Sequence, residues 1–146
     1  MVLPGIQALF GFQLIAAFSE RFSELDSVDR TVHIVSLLLT ALSIALIMTP
    51  AAYHRICESG RTSLFFTRLA SVLVAAAMVP LLVSISLDVY IVTRLVLSSG
   101  SIWPAAILGG ATFAVFLALW IIFPYSLLAR TRRRGATRLL GRWSAR

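Results

Sequence analysis

The stretch "TVHIVSLLLTALSIALIMTPAAY", residues 31–53, decides the fold class. It contains no Asp, Glu or Arg, and its apolar residues are fused into one run instead of alternating as on a half-buried strand. A bilayer core about 30 Å thick asks for roughly 17–25 such residues in a helix, and only helices or closed barrels satisfy their backbone inside lipid. The run therefore predicts a membrane-spanning helix.

Working outward, three more runs of the same kind appear at residues 2–18, 69–92 and 102–129. The linker "SERFSELDSVDR" separates the first two, and Ser27 or Asp29 is expected to cap the second helix. Pro4 lies where a helix start tolerates it, whereas Pro80, near the middle of the third run, predicts a kink. Ser98-Ser99-Gly100-Ser101 gives a turn before the fourth run. Residues 1–18 lack a basic leading segment, and "AAFSE" matches a cleavage site poorly, so the first run is expected to be retained. The composition agrees: 59% of the 146 residues are hydrophobic, 13% are charged, and the mean hydropathy is +0.92. A water-soluble domain is excluded on those grounds. The expected architecture is all-α, a polytopic four-helix transmembrane bundle over 1–129 with an Arg-rich tail over 130–146.

All thirteen basic residues are arginine. With the N-terminus in the cytoplasm, ten of them fall inside: Arg55, Arg61 and Arg68 in one loop and seven in the tail. Only Arg21, Arg30 and Arg94 fall outside, so both termini are expected at the cytoplasmic face of the inner membrane. The net charge of +7 comes from the tail "ARTRRRGATRLLGRWSAR", which abuts a helix. Arg130, Arg132, Arg133, Arg134 and Arg138 are accordingly read as contacts to anionic lipid headgroups, each worth about 1 kcal/mol, and no nucleic acid is expected.

Residues able to carry chemistry are few. His33 and His54 are separated along one helix by about 30 Å, and Cys57 matches no paired-cysteine pattern, so neither a metal site nor a cofactor is expected. No nucleophile constellation occurs, and the chain is not expected to be an enzyme. Asp88 is the strongest functional candidate, since ionisable groups inside spans are costly and mark proton or ion paths. Its position toward the outer rim leaves two readings open: an ion pair with Arg21, Arg30 or Arg94, or a pH-sensitive couple with His33. Gln7 and Gln13 are expected to hydrogen-bond neighbouring helices, as are the Ser and Thr of the spans; six positions put the two amides about 120° apart. Pro50, Tyr53, His54 and Arg55 are read as an inner-face anchor, with a specific role for His54 as the sharper alternative. Ala106, Gly110, Ala114 and Ala118 recur every four residues, a ridge that either closes the bundle or makes a homo-oligomer.

The segments "PGIQALFGFQL", "RFSELDSVDRTVH" and "LLLTALSIALIMTPAAYHRI" together resemble a bacterial family of small four-helix integral membrane proteins of uncharacterised function. The resemblance rests on Gly5, Gln7, Leu9 and Phe10; on Arg21, Phe22, Leu25, Asp29 and Arg30; and on Pro50, Ala51, Tyr53, His54 and Arg55. Some members carry an automatic label of sodium:proton antiporter, and the family offers no established catalytic residues to carry over. Two function classes follow as expectations: a structural or regulatory bundle, or a small ion- or proton-coupled transporter. Against the second stands the absence of Asp or Glu from the central part of any span.

Overall fold

The computed structural model describes residues 3–57, 64–97 and 101–128. Four α-helices account for most of them, and three are long and apolar enough to cross a membrane. Helix α1 spans Leu3–Ala17, and a 3-10 turn follows over Glu20–Glu24. Helix α2 spans Ser27–Cys57 and α3 spans Leu64–Leu97. Helix α4, Trp103–Leu117, passes into a π-helical turn at Ala118–Ile122, and the helical path continues to Leu128. The chain divides into two compact units, Met1–Phe113 and Ala114–Arg146. In the second unit Phe116 meets Trp120 edge-on, their ring centroids 4.7 Å apart.

Helices α2 and α3 overrun the apolar stretches that predicted them. At 1.5 Å per residue, the 31 residues of α2 and 34 of α3 reach about 46 and 51 Å, well beyond a hydrocarbon core of about 30 Å. Helix α1, with 15 residues, reaches only about 22 Å and is the short member of the set. Both α2 and α3 stay helical through an internal proline, Pro50 and Pro80 respectively, so neither residue terminates its helix.

The cap of α2 differs from expectation. Asp26, not Ser27 or Asp29, accepts the backbone N–H of Asp29 at 2.8 Å. An N-cap must precede the first helical residue for its oxygen to reach the N–H three positions on, and Ser27 is already helical. Arg30 reinforces the corner by donating from Nε to the Leu25 carbonyl at 2.9 Å and from Nη2 to the Ser23 carbonyl at 2.8 Å. Asp29 is thereby released from capping and turns to α3.

Helices α2 and α3 run antiparallel. Asp29 meets Arg94 at one end of the pair, and His54 meets Phe66 at the other. Helix α1 joins them near the start of α2, where Gln13 touches both. Burial is inverted relative to a water-soluble domain. Gln13, Asp29, His33, Ser36, Thr40, Ser43 and Ser84 are buried, while Phe12, Ile15, Leu38, Val72, Ile107 and Val115 are exposed.

On α4 the small residues that turn inward are Ala105 and Gly109. A methyl group on Gly109 would come within 3.0 Å of the Ser86 carbonyl oxygen and 3.2 Å of Tyr90 Cβ. The ridge expected at Ala106, Gly110, Ala114 and Ala118 is exposed at every position. A shift of one residue rotates a helical stripe by about 100°, and a helix apolar all round carries no signal to fix that phase.

Candidate functional site

Helix α2 presents one polar stripe. Asp29, His33, Ser36, Thr40 and Ser43 follow one another at spacings of four, three, four and three, which keeps them on a single face. Opposite them α3 offers Ser84 and Asp88, four residues apart, and α1 contributes Gln13. The side chains meet in one network. Ser36 donates to Asp88 Oδ1 at 2.6 Å, and Gln13 Nε2 donates to Asp88 Oδ2 at 2.5 Å. The same amide nitrogen lies 3.0 Å from Ser36 Oγ and 3.1 Å from Ser84 Oγ. Ser84 donates to the Ser36 main-chain oxygen at 2.9 Å, and its hydroxyl lies 2.5 Å from that of Thr40.

The donors of this network converge on Asp88. A carboxylate can only accept, so the Gln13 nitrogen faces it and the amide orientation is fixed. Ser36, with its proton committed to Asp88, receives from the amide; Ser84, committed to a carbonyl, receives from Thr40. Among the described residues, the direct partners of the Asp88 carboxylate are therefore neutral donors. From Asp88 the hydroxyls of Ser36, Ser84 and Thr40 continue inward, ending about 3 Å in helical rise from the midpoint of α2.

Two buried atoms are left over. His33 bonds the Gln13 carbonyl through Nε2 at 3.0 Å, which assigns the proton to that nitrogen because a carbonyl only accepts. Its Nδ1 has no partner among the described residues, and neither does Gln13 Oε1. Each residue is only 4% exposed. Both line a pocket of about 130 Å³ together with Asp88, and its remaining wall is hydrocarbon, including Phe12, Phe22 and Ile91. Phe22 meets the His33 ring edge-on, with centroids 5.1 Å apart.

The second buried aspartate is built differently. Asp29, 2% exposed, accepts from Tyr90 Oη at 3.0 Å and from Arg94 Nε at 2.8 Å. Arg94 also approaches Asp26 at 3.9 Å. Of the arginines expected as partners of Asp88, Arg94 serves the other two acids and Arg30 serves the linker carbonyls. Among the described residues the close arginine–carboxylate pair is that of Arg94 with Asp29.

Of the remaining candidates, Gln7 is exposed while Gln13 is buried, in keeping with the angle of about 120° between them on α1. Tyr53 and His54 pack on Phe65 and Phe66 at the start of α3, with His54 and Phe66 centroids 5.0 Å apart. Pro50 is buried and Arg55 exposed. This cluster and the Asp88 network lie at different ends of α2 and do not meet. Arg130, Arg132, Arg133, Arg134 and Arg138 fall outside the described residues. Among the described residues no three His, Cys, Asp or Glu side chains converge as a metal site would require. Sequence reasoning passed over Ser36, Thr40 and Ser84 as individuals, although the four-three spacing from Asp29 to Ser43 was a signal able to find the first two.

No curated protein and no solved structure matches the chain. A family model, described as a family of unknown function, matches residues 1–124, most of the chain and all of the network described above. The protein therefore belongs to the family DUF6328, whose function is unknown.

Proposed function

We propose that this is a multi-pass inner-membrane protein with four spans and both termini cytoplasmic, and that its core is a proton- or sodium-coupled transport site centred on Asp88. The observation that carries the reading is the company Asp88 keeps. Its carboxylate lies among three helices and is held by the neutral donors of Gln13 and Ser36, whereas Asp29 is neutralised by Arg94. An acid that serves only to fasten helices is expected to have a cation, as Asp29 does. One held by neutral donors can exchange a proton or a cation, which is the usual role of an ionisable group within a span.

The inverted burial supports the membrane setting, since lipid accommodates exposed Leu, Ile, Val and Phe while hydroxyl and amide groups bond between helices. The peripheral position of Asp88 is the objection the sequence raised. The hydroxyls of Ser36, Ser84 and Thr40 answer it, because they extend the polar path toward the middle of α2. In this reading the arginine tail rests on anionic headgroups, and no enzymatic step is involved. Helix α1 spans by drawing the bilayer thinner locally, at a cost of fractions of a kcal/mol per Å.

The same network also ties α1 to α2 and α3, which favours a structural or regulatory bundle as the second reading. Purified protein in liposomes with an enclosed pH-sensitive dye separates the two. Sodium-dependent proton movement that is lost on Asp88→Asn supports transport; a well-folded wild-type protein that moves no protons leaves the structural reading.

A further inference from the structure

Among the described residues, Ser36 is the hydroxyl that has both a charged and a neutral acceptor within reach of its single hydrogen. Its Oγ lies 2.6 Å from Asp88 Oδ1, 3.2 Å from the Ser84 main-chain oxygen and 3.0 Å from the Ser84 hydroxyl. With Asp88 ionised the hydrogen goes to the carboxylate, since a hydrogen bond to a charged acceptor is roughly twice as strong as a neutral one. The Ser84 hydroxyl is served by Thr40, so the Ser84 carbonyl is the acceptor left in reserve. The other carboxylate oxygen, Oδ2, faces Gln13 Nε2, an amide nitrogen that donates and cannot accept. Flipping that amide would aim its hydrogens at the buried position where Oε1 has no partner. A proton taken up by Asp88 therefore belongs on Oδ1, the oxygen that faces Ser36.

We propose that Ser36 is the positioning residue for proton uptake at Asp88, a hydroxyl that donates to the carboxylate and, when a proton arrives, turns to the Ser84 carbonyl and accepts from the acid. A hydronium ion gives its proton to Oδ1 and leaves as water, and the carboxylate loses its negative charge. The Ser36 O–H bond is never broken and only rotates. In the neutral state Ser36 accepts from Asp88 and from Gln13, at 3.0 Å, and donates to Ser84, which fills both lone pairs and its one hydrogen. The network that ties the three helices thus persists in both charge states. Among the described residues the other titratable group beside Asp88 is His33 on α2, which lines the same pocket. Asp29, Tyr90 and Arg94 bond one another, α1 presents Gln13, and α4 has no charged residue between Trp103 and Leu128. That the rotation also sets a transport rate rests on the transport reading of Asp88; that Ser36 receives the acid's hydrogen bond does not.

The test is infrared difference spectroscopy of the full chain in lipid across an acid step, with the Asp88 band identified as the component missing from Asp88→Asn. In the wild type the carbonyl stretch is expected at the lowered frequency of an acid whose O–H is hydrogen-bonded. Ser36→Ala is expected to move it up to the frequency of a free O–H, and Ser36→Cys, which restores a donor and acceptor of similar size, to bring it back toward the wild type. Ser43→Ala removes a hydroxyl from the same face of α2 that bonds the Leu39 carbonyl of its own helix, and is expected to leave the band in place. A wild-type Asp88 band at the free O–H frequency overturns the proposal whatever the variants do. So does a band that Ser36→Ala leaves unmoved or that Ser43→Ala moves as far. In liposomes, proton movement by Ser36→Ala is expected to be slower than wild type by at least roughly tenfold, the loss of one hydrogen bond to a charged group; an unchanged rate overturns the proposal and leaves the transport reading intact. The expected band shifts in a protein that moves no protons support the role of Ser36 and remove only the transport reading.

Discussion

Helix α1 contains two glutamines whose replacement should have opposite consequences. Gln13→Leu keeps the side chain's bulk and removes its polarity. The two amide protons of Gln13 serve Asp88, Ser36 and Ser84, all on other helices. Interhelical hydrogen bonds in membranes average about 0.6 kcal/mol and reach about 1.7, so the amide contributes roughly 1–3 kcal/mol. The substitution also leaves Asp88 Oδ2 without its donor, which adds about 1–3 kcal/mol, toward the low end because Asp88 is only half-buried. The expected destabilisation is about 2–5 kcal/mol. Gln7→Leu removes the same chemistry from an exposed position and is expected to change stability by no more than about 0.5 kcal/mol. Unfolding in mixed micelles with increasing dodecyl sulfate, followed by circular dichroism, measures both. Equal costs for the two variants, or a greater cost for Gln7→Leu, would refute the placing of α1 and with it the network.

Three further outcomes follow from the same geometry. Asp88→Asn is expected to fold within about 1 kcal/mol of the wild type, because the new amide can keep its oxygen toward Gln13 Nε2 and turn its nitrogen toward Ser36 Oγ, which can donate instead to the Ser84 carbonyl at 3.2 Å; a collapse of the thermal midpoint would contradict this. Asp29→Asn faces donors at both positions, Tyr90 Oη and Arg94 Nε, and is expected to lower the thermal midpoint further than Asp88→Asn does; the reverse order would mean that the rim pair is not structural. Gly109→Ala forces a methyl against the Ser86 carbonyl, an overpacking cost of about 1–3 kcal/mol, whereas Gly110→Ala meets open space and is expected to be neutral or to gain up to about 1 kcal/mol. Thermal unfolding of the two alanine variants side by side checks the phase of α4.

Length and charge made the helices legible, because a run without charge that is long enough to cross a bilayer has few alternatives. Phase was not legible on α4. Its residues are apolar on every side, so nothing in the sequence says which small residue meets α3; the approach of Ser86 and Tyr90 picks out Gly109, while Ala106 and Gly110 stay exposed. On α2 the information was present, since Asp29, His33, Ser36, Thr40 and Ser43 share a face by spacing alone. What the spacing lacked was the partner. Nothing local says that Ser84 and Asp88 stand opposite Ser36, or that Gln13 rather than Gln7 reaches them; that depends on how two antiparallel helices align over their whole length. Asp29 was hidden for another reason. It stands where a capping residue belongs, and Asp26 takes that role three positions earlier.

Exchange of a proton at Asp88 within the helical core is open to direct observation. Infrared difference spectroscopy of the protein in lipid, recorded across an acid step, detects a carboxyl group through its carbonyl stretch. The expected result is a component of the carboxylic-acid band, beyond that of the exposed Glu20, Glu24 and Asp26, that appears on acidification in the wild type, persists in Asp29→Asn, and is missing from Asp88→Asn. His33 on α2 and Gln13 on α1 are the groups beside Asp88, so the band is expected to shift in Gln13→Leu. A band unchanged by Asp88→Asn, or a wild-type protein in which none appears, would contradict proton exchange at this residue.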